Sequence, residues 1–355
     1  MAILWANLAI VYMFSLFSRL MVKPAAISPQ VVKPNKVMVV IVIAFLVLVS
    51  GLRNSIGDTF FYMHAYQVNT FNWEYILSEK DMGFGILQML LKMYSSDPQL
   101  LVFICALITN LLIVLVLYKY SKLFELSIYV YITSGMYLVS MNGIRQYLAA
   151  AIIFAATRYI IDGNWKKYTM VVLLASLFHS SSLILIPMYF IVRRKAWTLT
   201  TFIILFFAVL LAMGYSQLSG LFFAVIEDTH YSEYKNFAEG GANIIRVVIY
   251  AIPIVLAYIG RDKLRELFPN SDYIVNMTVL GLVFMVISTQ NWIFARFSIY
   301  FSLYNLIIIS WIVNAFVRKE QKLVYYSILV FYLLYCFYEQ AISLGIIYTS
   351  SYIKL

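Results

Sequence analysis

Long apolar runs alternate with short polar segments along the whole chain. The apolar runs are 2–18, 37–52, 99–118, 124–140, 144–161, 168–192, 196–214, 244–259, 273–289, 293–317 and 323–346. A weaker run at 82–94 contains glycines and a lysine and is too short to span comfortably. An α-helix needs about 20 apolar residues to cross the hydrocarbon core of a bilayer. The pattern therefore predicts an all-α polytopic membrane protein, 1–355, with about ten to twelve transmembrane helices in a single integral-membrane domain.

Composition supports a membrane protein. The chain is 63% hydrophobic and 12% charged, with a mean hydropathy of +0.86, whereas a soluble domain carries about 25% charged residues. The first apolar stretch, from Ala2 to Phe17, has no basic region before it and no small-residue cleavage site after it. We therefore expect a retained first span and not a signal peptide.

The net charge of +10 does not require nucleic acid as a partner. Basic cytoplasmic loops explain it in a membrane protein, and an anionic lipid-linked substrate is a second possible cause. No cluster of cysteine and histidine has metal-ligand spacing. We expect no nucleic acid, no metal and no cofactor.

Lysines and arginines assign the loops to sides of the membrane. Basic loops occur at 19–36, 119–122, 162–167, 193–195, 261–265 and 318–322. With these loops inside, the segments 53–81, 215–243 and 290–296 face outside, and so does the tip "NGIRQ". The outer side then holds the long polar loops, and a loop of about 30 residues usually has a function.

The run 168–192 decides this topology. As one plain span it would place Arg193, Arg194 and Lys195 outside and invert every later loop. The stretch "LFHSSSLILIP" puts His179 and three serines in mid-run, so we favour a re-entrant hairpin, which is tolerated where backbone is buried in protein or lines a wet cavity. The alternative is an ordinary helix whose serines bond back to its own carbonyls. We also expect a re-entrant or broken helix near 82–94.

The stretch "GLRNSIGDTFFYMHAY" is the first candidate site. Its polar residues follow a span that ends at Leu52: Arg53, Asp58, Tyr62, His64 and Tyr66. They could be interfacial residues, with arginine snorkelling and tyrosines in an aromatic belt, but their density also fits a site. Glu79 and Asp81 open the next short segment, where acidic residues are ordinary at a helix N-terminus, so Asp81 alone is interpreted as structural.

The tip "NGIRQ" supplies Asn142, Arg145 and Gln146. At the membrane interface Arg145 would be unremarkable, but deeper in apolar surroundings its cost makes a function the default. A guanidinium at a helix start matches phosphate oxygens in a bidentate fork. Arg145 is therefore the candidate anion-binding residue.

Two more clusters point to the same outer side. His179 lies among serines at the expected hairpin turn, and it is either a satisfied core histidine or a site residue. Arg296 and Tyr300, in "NWIFARFSIYF", lie at the start of an outer helix, where a snorkelling arginine is the alternative. The convergence of four clusters on one side favours a shared site.

The motifs together resemble the EpsG family, the Wzy-like exopolysaccharide and capsule polymerases of bacteria. The resemblance rests on "GLR…GDT…Y", "D-x-G-F", "NGIRQ-x-LA", "LFHSSSLI-x-x-P" and a late "R-F-x-x-Y", in this order over roughly 50–300. One departure is Thr59 after Asp58, where the family pattern leads us to expect a tyrosine.

The resemblance implies a glycosyltransferase of the cytoplasmic membrane that joins undecaprenyl-diphosphate-linked oligosaccharide repeat units on the outer face. Arg145 would hold the donor diphosphate, with Asn142 and Gln146 beside it and Arg53 or Arg296 assisting near Tyr300. Asp58 or His179 would accept the proton of the acceptor hydroxyl. The expected partners are the lipid-linked donor and acceptor, membrane lipids and other membrane proteins of polysaccharide assembly.

Three other functions are consistent with the residues. Broken helices and buried charge also mark transporters, so a flippase or exporter of the lipid-linked sugar is one alternative. A membrane O-acyltransferase that modifies the polymer is a second, because such enzymes also carry an intramembrane histidine. A non-catalytic assembly subunit is the third.

Overall fold

The computed structural model describes residues 1–22, 33–215 and 240–353. Within these residues the protein contains 18 α-helices and no β-strand. They are α1 (Ala2–Leu20), α2 (Lys36–Gly51), α3 (Thr59–Val68), α4 (Trp73–Ser78), α5 (Met82–Lys92), α6 (Gln99–Tyr120), α7 (Phe124–Thr133), α8 (Met136–Asn142), α9 (Ile144–Ala155), α10 (Thr157–Ile161), α11 (Trp165–Ser176), α12 (Leu185–Val192), α13 (Leu199–Met213), α14 (Ile244–Ile259), α15 (Arg261–Leu267), α16 (Ser271–Ile287), α17 (Ile293–Ala315) and α18 (Arg318–Cys336). The predicted all-α polytopic membrane fold is confirmed.

The apolar helices fall into two length classes. In the part of the chain described, four are long and apolar enough to cross a membrane: Ala2–Leu20, Gln99–Tyr120, Ile293–Ala315 and the continuous stretch Arg318–Ser343. The pair α14 and α15 bends by 77° at Gly260. The other apolar helices are only 10–17 residues long, and at 1.5 Å per residue they are shorter than the roughly 30 Å hydrocarbon core.

The run 168–192 forms the re-entrant hairpin that the basic loops predicted. Helix α11 ends at Ser176, a 3₁₀ turn covers Ser180–Ile184, and α12 returns. The two arms lie side by side, because the rings of Tyr168 and Tyr189 have centroids 5.2 Å apart. At the end of the return arm, Arg193 donates to the Ile161 carbonyl at 3.3 Å. The chain therefore leaves the hairpin at the end where it entered.

The basic loops meet at one end of the molecule, here called the basic end. Trp311 donates to the Tyr120 carbonyl at 2.7 Å and stacks on Phe268 at 4.4 Å. Arg265 donates to the Ala196 carbonyl at 2.9 Å. Together with the contact of Arg193 on Ile161, these bonds place the loops near 120, 162, 194 and 265 at the same end. The enrichment of lysine and arginine in cytoplasmic loops therefore bears on all of these loops together.

The predicted spans 124–140 and 144–161 are each broken into two helices. Gly135 separates α7 from α8 with a φ of +87°, a left-handed conformation that glycine adopts without steric cost. Ala156 separates α9 from α10. Hydrophobic periodicity cannot reveal such breaks, because the residues on both sides are equally apolar. The break between α8 and α9, at Gly143, brings the "NGIRQ" segment to the end opposite the basic end.

The expected outer segment 53–81 is largely helical. It contains α3 and α4, and α5 follows as one unbroken helix of 11 residues, where a re-entrant or broken helix was expected near 82–94. Lys92, in the last turn of α5, donates to the carbonyls of Tyr66, Gln67 and Asn69 at the end of α3. A cation over orphan carbonyls at a helix C-terminus is favourable. The other expected outer loop, 215–243, lies mostly outside the described residues.

Candidate active site

A cavity of about 420 Å³ lies at the end opposite the basic end. Four parts of the chain form its wall, namely α3 and the residue before it, α4 and the loop after it, α5, and the first turn of α9. The lining residues are Asp58, Phe61, Tyr62, Ala65, Tyr75, Glu79, Asp81, Phe84, Gly85, Gln88 and Arg145. Two of the residues predicted from the sequence, Asp58 and Arg145, therefore face one space, although 87 positions separate their numbers.

Arg145 is held against the cavity wall by Asp81. Its Nη1 donates to Asp81 Oδ2 at 2.9 Å, and its guanidinium carbon lies 5.9 Å from the ring centroids of both Tyr62 and Phe84. The Arg145 side chain is 34% exposed, whereas that of Asp81 is 2% exposed. The cation is thus oriented from one side by a carboxylate and two rings, and part of it stays accessible.

Asp81 also fixes the turn of the re-entrant hairpin. Its Oδ1 accepts from the Ser180 amide at 3.2 Å, and its Oδ2 lies 3.4 Å from His179 Nδ1. Burial acts to raise the pKa of this carboxyl, but hydrogen bonding to His179 and the charges of His179 and Arg145 outweigh it, so the pKa is lowered. Asp81 is therefore an anion that joins α5, α9 and the hairpin.

Glycine at position 83 allows α5 to pack backbone to backbone on the hairpin. The Gly83 amide donates to the Leu177 carbonyl at 2.7 Å. A Cβ at Gly83 would lie 2.7 Å from Leu177 Cβ and 2.9 Å from its carbonyl oxygen, which is closer than real Cβ atoms approach. This contact places Asp81, two residues earlier, within reach of His179 and Ser180.

Asn142 positions Asp58. The Asn142 Oδ1 accepts from the Asp58 amide at 2.9 Å. Gly57 adopts a φ of +53°, and a Cβ there would lie 2.1 Å from the same Oδ1. Glycine is thus required both for the turn and for the close approach of Asn142. Asp58 then precedes α3 with its side chain at the cavity.

Gln146, Arg296 and Tyr300 lie where α9, α17 and the hairpin meet, and they do not line the cavity. Gln146 Nε2 donates to the Arg296 carbonyl at 2.7 Å, and the Tyr300 hydroxyl lies 2.8 Å from Ser181 Oγ. Burial raises the pKa of the Tyr62 hydroxyl, while the charges of Arg145 and Arg296 act in the opposite direction. Both guanidinium groups therefore act on the same phenol at the cavity.

Arg53 does not fit the predicted role of a diphosphate ligand. It is 1% exposed and does not line the cavity. Its Nε donates to Thr59 Oγ1 at 3.0 Å, and its Nη atoms donate to the carbonyls of Ser50 and Met141. These bonds hold the end of α2 against α3 and α8, so Arg53 stabilises the packing of the helices next to the cavity.

The carboxylates give the cavity an acidic lining. Asp58, Glu79 and Asp81 face it beside a single arginine, so the formal charge of these four groups is 1 − 3 = −2 when all are ionised. Carboxylates and amides accept hydrogen bonds from hydroxyl groups, as sugar binding needs. Among these lining groups, an anion is favoured only at Arg145.

Asp81 is the site residue that the sequence interpretation missed. Its position before a short apolar helix indicated a capping residue, yet its side chain makes no capping hydrogen bond to α5. The available signal was the "D-x-G-F" segment, in which Gly83 allows the close packing that buries the carboxylate. His179 and Arg145 are the partners that justify a buried charge.

The model of one protein family matches residues 36–350 of the chain, and its description is the EpsG family. The chain belongs to the EpsG family. The match confirms the resemblance that the motifs carried, and it covers every candidate site residue. The EpsG family is associated with polysaccharide biosynthesis. Among curated proteins and among solved structures, nothing matches this chain.

Proposed function

We propose that this EpsG-family protein is a polysaccharide polymerase of the cytoplasmic membrane. It joins oligosaccharide repeat units carried on undecaprenyl diphosphate, and it is a glycosyltransferase without a metal or other cofactor. The observation that carries the proposal is the cavity in which Arg145, held by Asp81, faces the same space as Asp58. One wall offers a cation for a diphosphate, and the rest offers acceptors for sugar hydroxyls.

The reaction forms one bond and breaks one. The acceptor hydroxyl oxygen attacks the anomeric carbon of the donor glycan, the bond from that carbon to the diphosphate oxygen breaks, and undecaprenyl diphosphate leaves. The hydroxyl proton passes to Asp58 or His179 as general base. Arg145, assisted by Arg296, stabilises the charge that grows on the leaving diphosphate, and such electrostatic stabilisation is usually the largest contribution to catalysis.

Asp58 and His179 are the two candidates for the general base, and they differ in their access to the cavity. Asp58 lines the cavity directly. His179 is 7% exposed, and its Nδ1 is engaged by Asp81. A carboxylate at Nδ1 orients an imidazole and supports the positive charge it gains as a base. Three further residues act by positioning others: Gln146 positions Arg296, Asn142 positions Asp58, and Tyr300 positions the hairpin.

The positions of the basic loops support a cavity on the outer face. The basic loops share one end of the protein, and lysine and arginine are enriched in cytoplasmic loops. The cavity lies at the other end, on the side where lipid-linked units are presented for polymerisation. Membrane lipids and other membrane proteins of polysaccharide assembly are the further partners we propose.

The experiment is a deletion strain whose lipid-linked saccharides are extracted, sized by mass spectrometry and tested for accessibility to an impermeant glycosidase. We expect single repeat units on undecaprenyl diphosphate, exposed on the outer face, and no long polymer. Units confined to the inner face would overturn the proposal in favour of a flippase. Polymer of normal length that lacks only acyl groups would overturn it in favour of an O-acyltransferase.

A further inference from the structure

The Asp81 carboxylate forms a direct ion pair with the Arg145 guanidinium, so Arg145 does not act as an isolated cation. Asp81 is almost fully buried, and its Oδ2 lies 2.9 Å from Arg145 Nη1. Ser180 and His179 hold the same carboxylate from the hairpin side. Asp81 therefore cannot swing away to solvent when a ligand reaches Arg145.

We propose that Asp81 is a positioning residue that orients Arg145 at the cavity wall and, at the same time, weakens its affinity for anions. The proposal rests on the proposed function of Arg145 as the diphosphate ligand. The fixed carboxylate repels any phosphate that approaches the same guanidinium, because like charges a few ångströms apart in a partly buried site interact strongly. Weak anion binding suits a site that must release a diphosphate after every transfer.

The Asp81 charge thus has two opposite effects on Arg145: it improves the orientation of the guanidinium and lowers its affinity for anions. Without the Asp81 charge, Arg145 attracts anions more strongly but is no longer held in one place. A misplaced catalytic group costs rate even when binding improves, because only interactions made in the transition state accelerate the reaction. A purely structural role for Asp81 would instead lower folding, binding and polymer formation together.

Asp81→Asn separates these roles. The amide has nearly the shape of the carboxylate and keeps an oxygen that accepts from Ser180 or Arg145, but it carries no charge. Asp81→Glu is the complementary variant, because it keeps the charge and changes its position. Glu74→Gln is the matched control: Glu74 is an exposed carboxylate in the first turn of α4 that does not line the cavity.

The test measures binding of inorganic pyrophosphate to the purified full chain in lipid nanodiscs, and polymer formed per amount of membrane-inserted protein in a complemented deletion strain. We expect Asp81→Asn to bind pyrophosphate about 5- to 10-fold more tightly and to lose at least about tenfold in polymer. Asp81→Glu keeps wild-type affinity and loses polymer, and Glu74→Gln changes neither.

The outcomes separate this inference from the proposed function. Weaker pyrophosphate binding by Asp81→Asn, or affinity and polymer equal to those of Glu74→Gln, would overturn the inference while the polymerase proposal stands. Pyrophosphate binding that survives Arg145→Ala would overturn both the anion role of Arg145 and the inference. Wild-type lipid-linked saccharides in the deletion strain would refute the polymerase proposal alone.

Discussion

Arg145 and Asp81 form an ion pair of 2.9 Å across 64 residues of sequence. The pair joins the first turn of α9 to the loop before α5, and through Asp81 it reaches the hairpin turn at His179. The ion pair explains why an arginine stands between two apolar runs, where a leucine would have a lower free energy of burial. Arg145 lies in the first turn of α9, its charge is balanced by Asp81 on one side, and its other side is exposed to the cavity.

Arg53 and Arg145 should fail in different ways when truncated. Arg53→Ala leaves the Ser50 and Met141 carbonyls without their donor, and unsatisfied buried groups cost about 1–3 kcal/mol each. We expect less folded protein in the membrane, measured by size-exclusion chromatography of a fluorescent fusion, and a proportional loss of polymer. A normal amount of Arg53→Ala protein without polymer would instead return Arg53 to the site itself.

The two glycines of α5 provide a matched pair for the hairpin contact. Gly83→Ala places a Cβ against Leu177 backbone and should cost about 1–3 kcal/mol of stability, as overpacking does. At Gly85 the nearest atom to an added Cβ is Ile76 Cγ1 at 3.3 Å, a contact that a small shift of that side chain relieves. We expect the thermal midpoint in detergent to fall clearly for Gly83→Ala and little for Gly85→Ala. Equal midpoints for the two variants would contradict the close packing of α5 on the hairpin.

The Asp81 interactions should persist through mildly acidic pH. Burial raises the pKa of this carboxyl, but His179 and Arg145 lower it below its usual value. A depressed pKa means that the stabilisation is present above the unfolded-state value of about 4 and is lost as pH falls through the folded-state pKa. The difference in thermal midpoint between wild type and Asp81→Asn should therefore not decrease between pH 8 and pH 5. A difference that already shrinks in this range would show that the pKa is raised.

Accessibility of single cysteines tests the sidedness. Cys105 and Cys336 are buried, so they give a low background after replacement or blocking. Lys195→Cys lies exposed at the basic end, and Tyr94→Cys replaces a side chain that is 87% exposed after α5. We expect an impermeant maleimide added to intact cells to label position 94 and not 195. Labelling of 195 in intact cells would invert the topology.

The helical membrane fold and the hairpin were predictable because their signals are local. Apolar runs indicate helices and basic loops indicate sides of the membrane. The hairpin at 168–192 was therefore indicated by Arg193, Arg194 and Lys195 together with the polar break at His179. The breaks at Gly135 and Ala156 were not predictable, because a helix interrupted within apolar sequence keeps the same periodicity. The loop 215–243 stays a prediction outside the described residues, apart from its edges.

The site could be predicted only in part for a similar reason. Asp58, Asn142, Arg145 and His179 stood out as polar residues beside apolar runs. Asp81 did not, because a carboxylate before a helix is ordinary until long-range packing shows which cations it meets. Arg53 was predicted to reach the site and instead binds backbone carbonyls. Sequence cannot distinguish an arginine that reaches a cavity from one that is buried against backbone.

The most direct measurement compares Arg145→Ala with Arg158→Ala in the deletion strain. Arg158 is the control because it pairs with Asp162 in an exposed position near the basic end. We expect Arg145→Ala to insert normally, to lose about 10²–10³-fold in polymer, and to accumulate single repeat units on undecaprenyl diphosphate, while Arg158→Ala makes wild-type polymer. Wild-type polymer from Arg145→Ala at equal protein levels would contradict the diphosphate site and the mechanism built on it.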